Sequence, residues 1–170
     1  MKTYELYVDD IDLEEQQIAL VEYPAIDVNF MAFNKDEVKQ TFTFNEDKHI
    51  ITGAVLIPDK RIYRYSNGME YFVYFGKETI EKVAHEFLTN ITRFNLEHER
   101  ETSGIKVIES WIKSDIEFDK SVALGMGLLP IGTWLISAKV DNEEVWKQVK
   151  EGTFQGFSIQ GTFVLEEREK

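Results

Sequence analysis

Short runs of β-branched and aromatic residues, separated by turn signals, recur along most of this chain. Many of them alternate apolar and polar residues, and a period of two is typical of β-strands. The predicted strands are residues 3–8, 18–23, 49–57, 61–65, 70–75, 93–98, 105–112, 132–140 and 155–165. The dipeptide Asn67-Gly68 predicts a hairpin between the fourth and fifth of these strands. The pattern therefore favours a fold built mainly from antiparallel strands.

Two segments have a helical period instead. Residues 77–90 place their apolar side chains on one face, as an amphipathic helix does. Residues 141–150 begin at Asp141 or Asn142 as the N-cap, carry acidic residues in the first turn and lysine in the last, and are followed by Gly152. The predicted fold class is α+β, with a mainly antiparallel β-sheet or barrel that carries two helices.

Composition and charge limit the partners and the chemistry. The 170 residues, 43% of them hydrophobic, predict a single domain over residues 1–170. The absence of cysteine excludes disulfides and thiolate metal sites. A net charge of −12 opposes binding to nucleic acid or an anionic membrane. No apolar run reaches the roughly 20 residues of a membrane span. We expect no metal and no cofactor, because neither a metal-binding helix motif nor a phosphate loop is present.

Ser158 is the candidate nucleophile among the seven serines. It lies in the segment Gly156-Phe157-Ser158-Ile159-Gln160-Gly161. Alternation turns Phe157 and Ile159 to one face and Ser158 to the other, and neighbouring glycines allow a substrate strand to come close. From the spacing alone, an ordinary strand serine at a glycine bulge is the more common case.

His98 is the candidate general base among three histidines. It ends a predicted strand on the face of Phe94 and Leu96, from which a side chain can reach a neighbouring strand. His49 and His85 are predicted to face solvent. The alternative for His98 is a structural histidine in the core.

Glu109 is the candidate acid that orients the imidazole. It shares a predicted strand face with Val107 and Trp111, where a carboxylate needs a partner. A hairpin through residues 99–104 would make His98 and Glu109 cross-strand neighbours. A salt bridge to a lysine, or an edge position in water, explains Glu109 equally well. The other acids that remain open are Glu70, Glu97 and Glu99.

Several segments, taken in order along the chain, resemble the phage serine proteases of the XkdF type, within the wider prohead-protease group. They are Tyr23-Pro24-Ala25-Ile26, Asn95-Leu96-Glu97-His98-Glu99, Val107-Ile108-Glu109-Ser110-Trp111-Ile112, Pro130-Ile131-Gly132-Thr133-Trp134, residues 141–152 and Gly156-Phe157-Ser158-Ile159-Gln160-Gly161. Each segment alone is weak, and the ordered set is specific.

The resemblance implies a serine endopeptidase with Ser158 as nucleophile and His98 as base. It also implies a fold similar to the herpesvirus assemblins, which are antiparallel β-barrels with helices. Assemblins use a second histidine as the third member, and neither His49 nor His85 lies where that would require. Gln160 departs from the family, in which glutamate is expected at this position.

The implied substrates are the capsid scaffold, the N-terminal segment of the major capsid protein and the protease itself. The implied location is the phage prohead in the host cytoplasm. Homo-oligomer formation stays open. The alternative from another class is a structural phage protein of related β-barrel build without catalysis. We expect Ser158 and His98 on neighbouring strands if the protease interpretation is right.

Overall fold

A computed structural model of the chain describes residues 1–8, 17–21, 43–45, 48–91, 94–96, 100–101, 103–160 and 163–167. The strands are β1 (Lys2–Tyr7), β2 (Gln17–Val21), β3 (Thr43–Asn45), β4 (Ile50–Leu56), β5 (Ile62–Ser66), β6 (Met69–Phe75), β7 (Phe94–Leu96), β8 (Arg100–Glu101), β9 (Ile105–Ile112), β10 (Trp134–Val140), β11 (Gly156–Gln160) and β12 (Val164–Glu167). The helices are α1 (Lys77–Glu86), α2 (Lys120–Ala123) and α3 (Glu143–Lys150), with a π-helical turn at Phe87–Ile91.

These strands form three four-stranded sheets. Sheet A has the order β12-β1-β6-β5, sheet B the order β11-β2-β7-β8, and sheet C the order β3-β4-β10-β9. Most neighbours are antiparallel, while β1 pairs with β6 and β2 with β7 in parallel. Strand β11 of sheet B also contacts β4 of sheet C. The mainly antiparallel α+β class is confirmed, but within the described ranges no barrel closes.

The hairpin of β5 and β6 forms at the predicted turn. Asn67 and Gly68 have φ of 51° and 75°, the left-handed values that a two-residue turn between twisted strands requires. Each strand begins or ends within about a residue of the predicted limits. The local turn signal was therefore sufficient for this part of sheet A.

Both predicted helices are present, and each has an identifiable start. Helix α1 begins after Gly76, where a Cβ atom would collide with the Glu5 carboxylate of β1. Helix α3 begins after Asn142, whose Oδ1 accepts hydrogen bonds from the N–H groups of Glu144 and Val145. Gly152 follows α3 with a φ of 77°. The described ranges also contain the four-residue α2, which was not predicted.

A hydrophobic core joins the helices to sheets B and C. Trp134 of β10 and Phe87 of the π-helical turn are fully buried, and their ring centroids are 5.6 Å apart. Phe87 also packs edge-on against Phe94 of β7, at 6.2 Å. Burial of this aromatic cluster fixes the end of α1 against β7 and β10. None of the helices in the described part of the chain is long and apolar enough to cross a membrane.

Candidate active site

Ser158 lies in the middle of β11, and its backbone position is fixed by two ladders. Ser158 is opposite Ala19 in the antiparallel β11–β2 pair, and Ala19 is opposite Asn95 in the parallel β2–β7 pair. The three Cα positions therefore form one row across sheet B. At about 4.8 Å between strands, Ser158 and Asn95 are about 10 Å apart in the backbone.

The two faces of sheet B differ in character. One face carries Phe157, Leu20 and Phe94, all buried in the core, with Phe157 and Phe94 rings 6.4 Å apart. Ser158 points to the opposite face, because side chains alternate along a strand. Its side chain is half-buried there, next to the fully buried Ala19. The predicted opposition of Phe157 and Ser158 is confirmed.

His98 lies outside the described residues, as do Glu97 and Glu99. The nearest described element is β7, which pairs with β2 and β8. Because His98 itself lies outside the described residues, the expectation that it lies on a strand next to that of Ser158 stays a prediction. Strand β2 separates the two described strands, β7 and β11. They share one sheet, one strand apart. The hydrogen bond between Ser158 and His98 stays a prediction.

Glu109 lies in a different sheet from Ser158. Strand β9 pairs with β10 in sheet C, so the predicted hairpin between β9 and the strand leading to His98 is wrong. The Glu109 carboxylate forms an ion pair with Lys120 of α2, and Glu109 lies opposite Ser137 in the β9–β10 pair. Lys120 first, and then Ser137, hold the pKa of Glu109 below its usual range. The salt bridge to a lysine, the alternative left open by the sequence, is what the structure contains.

Ser137 connects this ion pair to the interior of sheet C. Its hydroxyl is within 2.9 Å of the Thr52 hydroxyl, and both residues are buried. Sequence reasoning missed both this pair and Lys120. Two hydroxyl residues within strongly apolar strand segments were the available signal, because buried hydroxyls need partners. The helical partner of Glu109 had no local signal, since Lys120 follows a loop of irregular structure.

The two described histidines have other positions and contacts. His49 precedes β4, stacks on Trp146 of α3 at 4.6 Å between ring centroids, and lies 3.9 Å from the Glu143 carboxylate through Nδ1. It is half-buried, whereas the sequence predicted a solvent-facing side chain. His85 is exposed in the last turn of α1, as predicted. Neither histidine belongs to sheet B.

The remaining acid that can be described also has a partner. Glu70 of β6 accepts a hydrogen bond of 2.7 Å from the Tyr63 hydroxyl in sheet A. In the part of the chain that the structure describes, no three histidine or acidic side chains are grouped as ligands for a metal ion.

Comparison with known proteins identifies a family. A family model described as "Putative phage serine protease XkdF" matches residues 37–167 of the chain. This match includes Ser158, His98 and Glu109. It covers well over half of the chain.

Two curated proteins of Bacillus subtilis (strain 168) are similar to this chain. The phage-like element PBSX protein XkdF is 32% identical over 92 residues, which cover 54% of this chain and 31% of that protein. The uncharacterized protein YqbD is 32% identical over 93 residues, which cover 54% of this chain and 27% of that protein. The alignments thus span less than a third of either relative. No solved structure matches the chain with significance. By the family match, this chain belongs to the phage serine protease family of the XkdF type.

Proposed function

We propose that the chain is a serine endopeptidase of phage prohead maturation, with Ser158 as nucleophile and His98 as general base. The observation that carries the proposal is the position of Ser158. In a chain of a serine protease family, this serine is half-buried on the face of sheet B that points away from the Phe157 side. It is accessible without being freely exposed, as a nucleophile must be.

The choice of His98 rests on the sequence block that carries it and on the placement of the other histidines. His49 is stacked on Trp146 and His85 ends a helix, so neither belongs to the sheet of Ser158. The proposal makes a structural demand, because Phe94 and Leu96 point into the core. If the same alternation continued past Leu96, the His98 side chain would also point into the core. The backbone after Leu96 must therefore depart from the strand pattern if the imidazole is to reach the face of Ser158.

The proposed chemistry is acyl transfer. His98 takes the Ser158 hydroxyl proton while Oγ attacks the carbonyl carbon of the scissile amide. The imidazolium then gives this proton to the leaving amine as the C–N bond breaks, which leaves an acyl-enzyme. Water, deprotonated by His98, attacks the acyl carbon, and the serine hydroxyl is restored when the C–O bond breaks.

The third residue of a catalytic triad, the acid that would orient His98, is a separate question. Glu109 lies in sheet C, where its carboxylate is paired with Lys120, whereas Ser158 lies in sheet B. The proposal therefore rests on the Ser158–His98 pair, and Glu109 is tested by itself. Glu97 remains a candidate from the sequence, whereas Glu70 is held by Tyr63.

The proposed substrates are the phage scaffold, the N-terminal segment of the major capsid protein and the protease itself, inside the prohead in the host cytoplasm. The family membership supports a phage protease, and the resemblance to prohead proteases supports these substrates. An assemblin-like arrangement is proposed on the same basis and is supported by the contact between β11 and β4, which brings sheets B and C together.

Co-expression with the scaffold and capsid proteins of the same phage tests the proposal. Wild type should give shortened products, and Ser158→Ala and His98→Ala should leave both proteins full length. Ser66→Ala, at an exposed hairpin serine, is the matched control and should process normally. Processing that persists in Ser158→Ala would exclude this serine as nucleophile. Full-length products with wild type would favour the non-catalytic structural protein.

A further inference from the structure

The chain between β9 and β10 carries large apolar side chains into solvent. Ile116 is 67% exposed and Phe118 is 87% exposed, and Leu128 on the returning part is 82% exposed. Scattered apolar residues on a protein surface are ordinary. Here they are concentrated in one connection, which makes them candidates for a contact with another molecule.

The first part of this connection is an ordered turn. The Asp115 carboxylate accepts hydrogen bonds from the N–H groups of Glu117, at 2.7 Å, and Phe118, at 2.8 Å. Asp119 accepts from Ser121 N–H at 2.9 Å and from Trp111 Nε1 at 3.2 Å. These bonds hold the backbone that displays Ile116 and Phe118. A preordered turn loses little conformational entropy when a partner binds it.

The base of the connection is fixed to sheet C. Lys113 is almost fully buried, and its Nζ donates a hydrogen bond of 2.7 Å to the Gly127 carbonyl. Its backbone exchanges hydrogen bonds with Thr133 and Gly132 on the returning side. The ion pair of Lys120 with Glu109 adds a third attachment. The turn is therefore held out from sheet C at both ends.

Charge indicates which partner suits the turn. Acidic and apolar residues alternate from Asp115 through Ile116 and Glu117 to Phe118, and all four side chains are exposed. Hydrogen bonds from the N–H groups of Phe118 and Glu117 lower the pKa of Asp115 and so favour its charged form. The net charge of −12 makes a second copy or an anionic membrane an unfavourable partner.

We propose that residues 115–118, the acidic–apolar turn, dock into an apolar pocket of another protein that is bordered by lysine or arginine side chains. Ile116 and Phe118 fill the pocket, and Asp115 and Glu117 face the basic border. Apolar burial supplies most of the affinity, while the charges supply selectivity and speed association. This surface is independent of Ser158 and of proteolysis.

A synthetic probe with the same chemistry tests the proposal. The probe is a fluorescent designed two-helix peptide whose groove is lined by leucines and bordered by lysines, and its matched control has glutamates in place of the lysines. Wild type should bind the lysine peptide and not the glutamate peptide, with affinity that falls as salt rises. Ile116→Ser/Phe118→Ser should weaken binding at least about tenfold.

The control variant is Tyr65→Ser/Met69→Ser, which removes two side chains of similar exposure, 66% and 65%, from the β5–β6 hairpin. It should bind as wild type does. Any of four results would overturn the proposal. They are equal affinity of the turn variant and wild type, an equal loss of affinity in both double variants, absence of binding by wild type, and binding of the glutamate peptide. A wild-type dimer in sedimentation that the turn variant abolishes would also overturn it, since the occupant would then be a second copy.

Discussion

Glu109 of the edge strand β9 forms an ion pair with Lys120 of helix α2. Strand β9 belongs to sheet C, which does not contain Ser158. Both side chains of the ion pair are about half exposed. Glu109 therefore either stabilises the fold through this ion pair or orients the His98 imidazole, as the sequence suggested. The two roles predict different effects of the same substitution.

Glu109→Gln should cost about 0.5 kcal/mol of unfolding free energy at pH 7, since half-exposed ion pairs contribute little. It should leave turnover per folded molecule unchanged. The pKa of Glu109 is lowered by folding, so its contribution is present above the unfolded pKa of about 4.3 and is lost as the pH falls through the folded pKa. Urea unfolding at pH 7 and at pH 3 should therefore show a difference between the two proteins that shrinks in acid.

Glu70→Gln in sheet A is the control for a surface carboxylate with a single hydroxyl partner. A large loss of turnover in folded Glu109→Gln, such as the ~10⁴-fold loss seen when the acid of a triad is replaced, would restore Glu109 as the orienting acid. A loss confined to Glu97→Gln would move that role to Glu97.

Phe157→Ala and Ser158→Ala should differ sharply in their effect on the free energy of unfolding, although the residues are adjacent. Phe157 packs in the core against Phe94, and its truncation should cost about 3 kcal/mol or more. Ser158→Ala removes one half-buried hydroxyl and should change stability by about 0.5 kcal/mol or less. Urea unfolding measures both, and Phe157→Leu replaces the alanine variant if that protein does not fold. Similar losses at both positions would contradict the assignment of the two faces.

Gly76→Ala should destabilise the protein by about 1 kcal/mol or less, because the added Cβ meets the end of the flexible Glu5 side chain and its displacement costs about one hydrogen bond. The added Cβ would displace the Glu5 carboxylate, which accepts a hydrogen bond from the Tyr74 hydroxyl. Gly127→Ala is the matched control, because its Cβ would meet Val122 only at an ordinary 3.7 Å. That change should be nearly neutral or slightly stabilising, since alanine restricts the unfolded chain. Thermal unfolding that ranks the two variants in the opposite order would contradict the packing at the start of α1.

Local signals in the sequence were sufficient for most elements and for the face of Ser158. Alternation located β9 at its observed limits, the two N-cap candidates Asp141 and Asn142 located the start of α3, and Asn67-Gly68 located the hairpin. Each of these depends on contacts within a few residues, which a sequence pattern records directly.

Long-range pairing could not be predicted in this way. The parallel pairs of β1 with β6 and β2 with β7 join segments far apart in sequence, and a short turn between two strands suggested a hairpin that does not form. For this reason Glu109 was assigned to the neighbourhood of His98, whereas sheet C gives it Lys120 and Ser137. Partner choice between sheets depends on the packing of the whole core.

Covalent labelling of the native protein with a fluorophosphonate probe, followed by peptide mass spectrometry, tests most directly whether Ser158 is the nucleophile. Such probes react with a serine whose hydroxyl is activated by a base. We expect one modification per chain, on Ser158, that is absent after denaturation and strongly reduced in folded His98→Ala. Modification of a different serine, or an unmodified Ser158 in native protein that processes its substrates, would contradict this assignment.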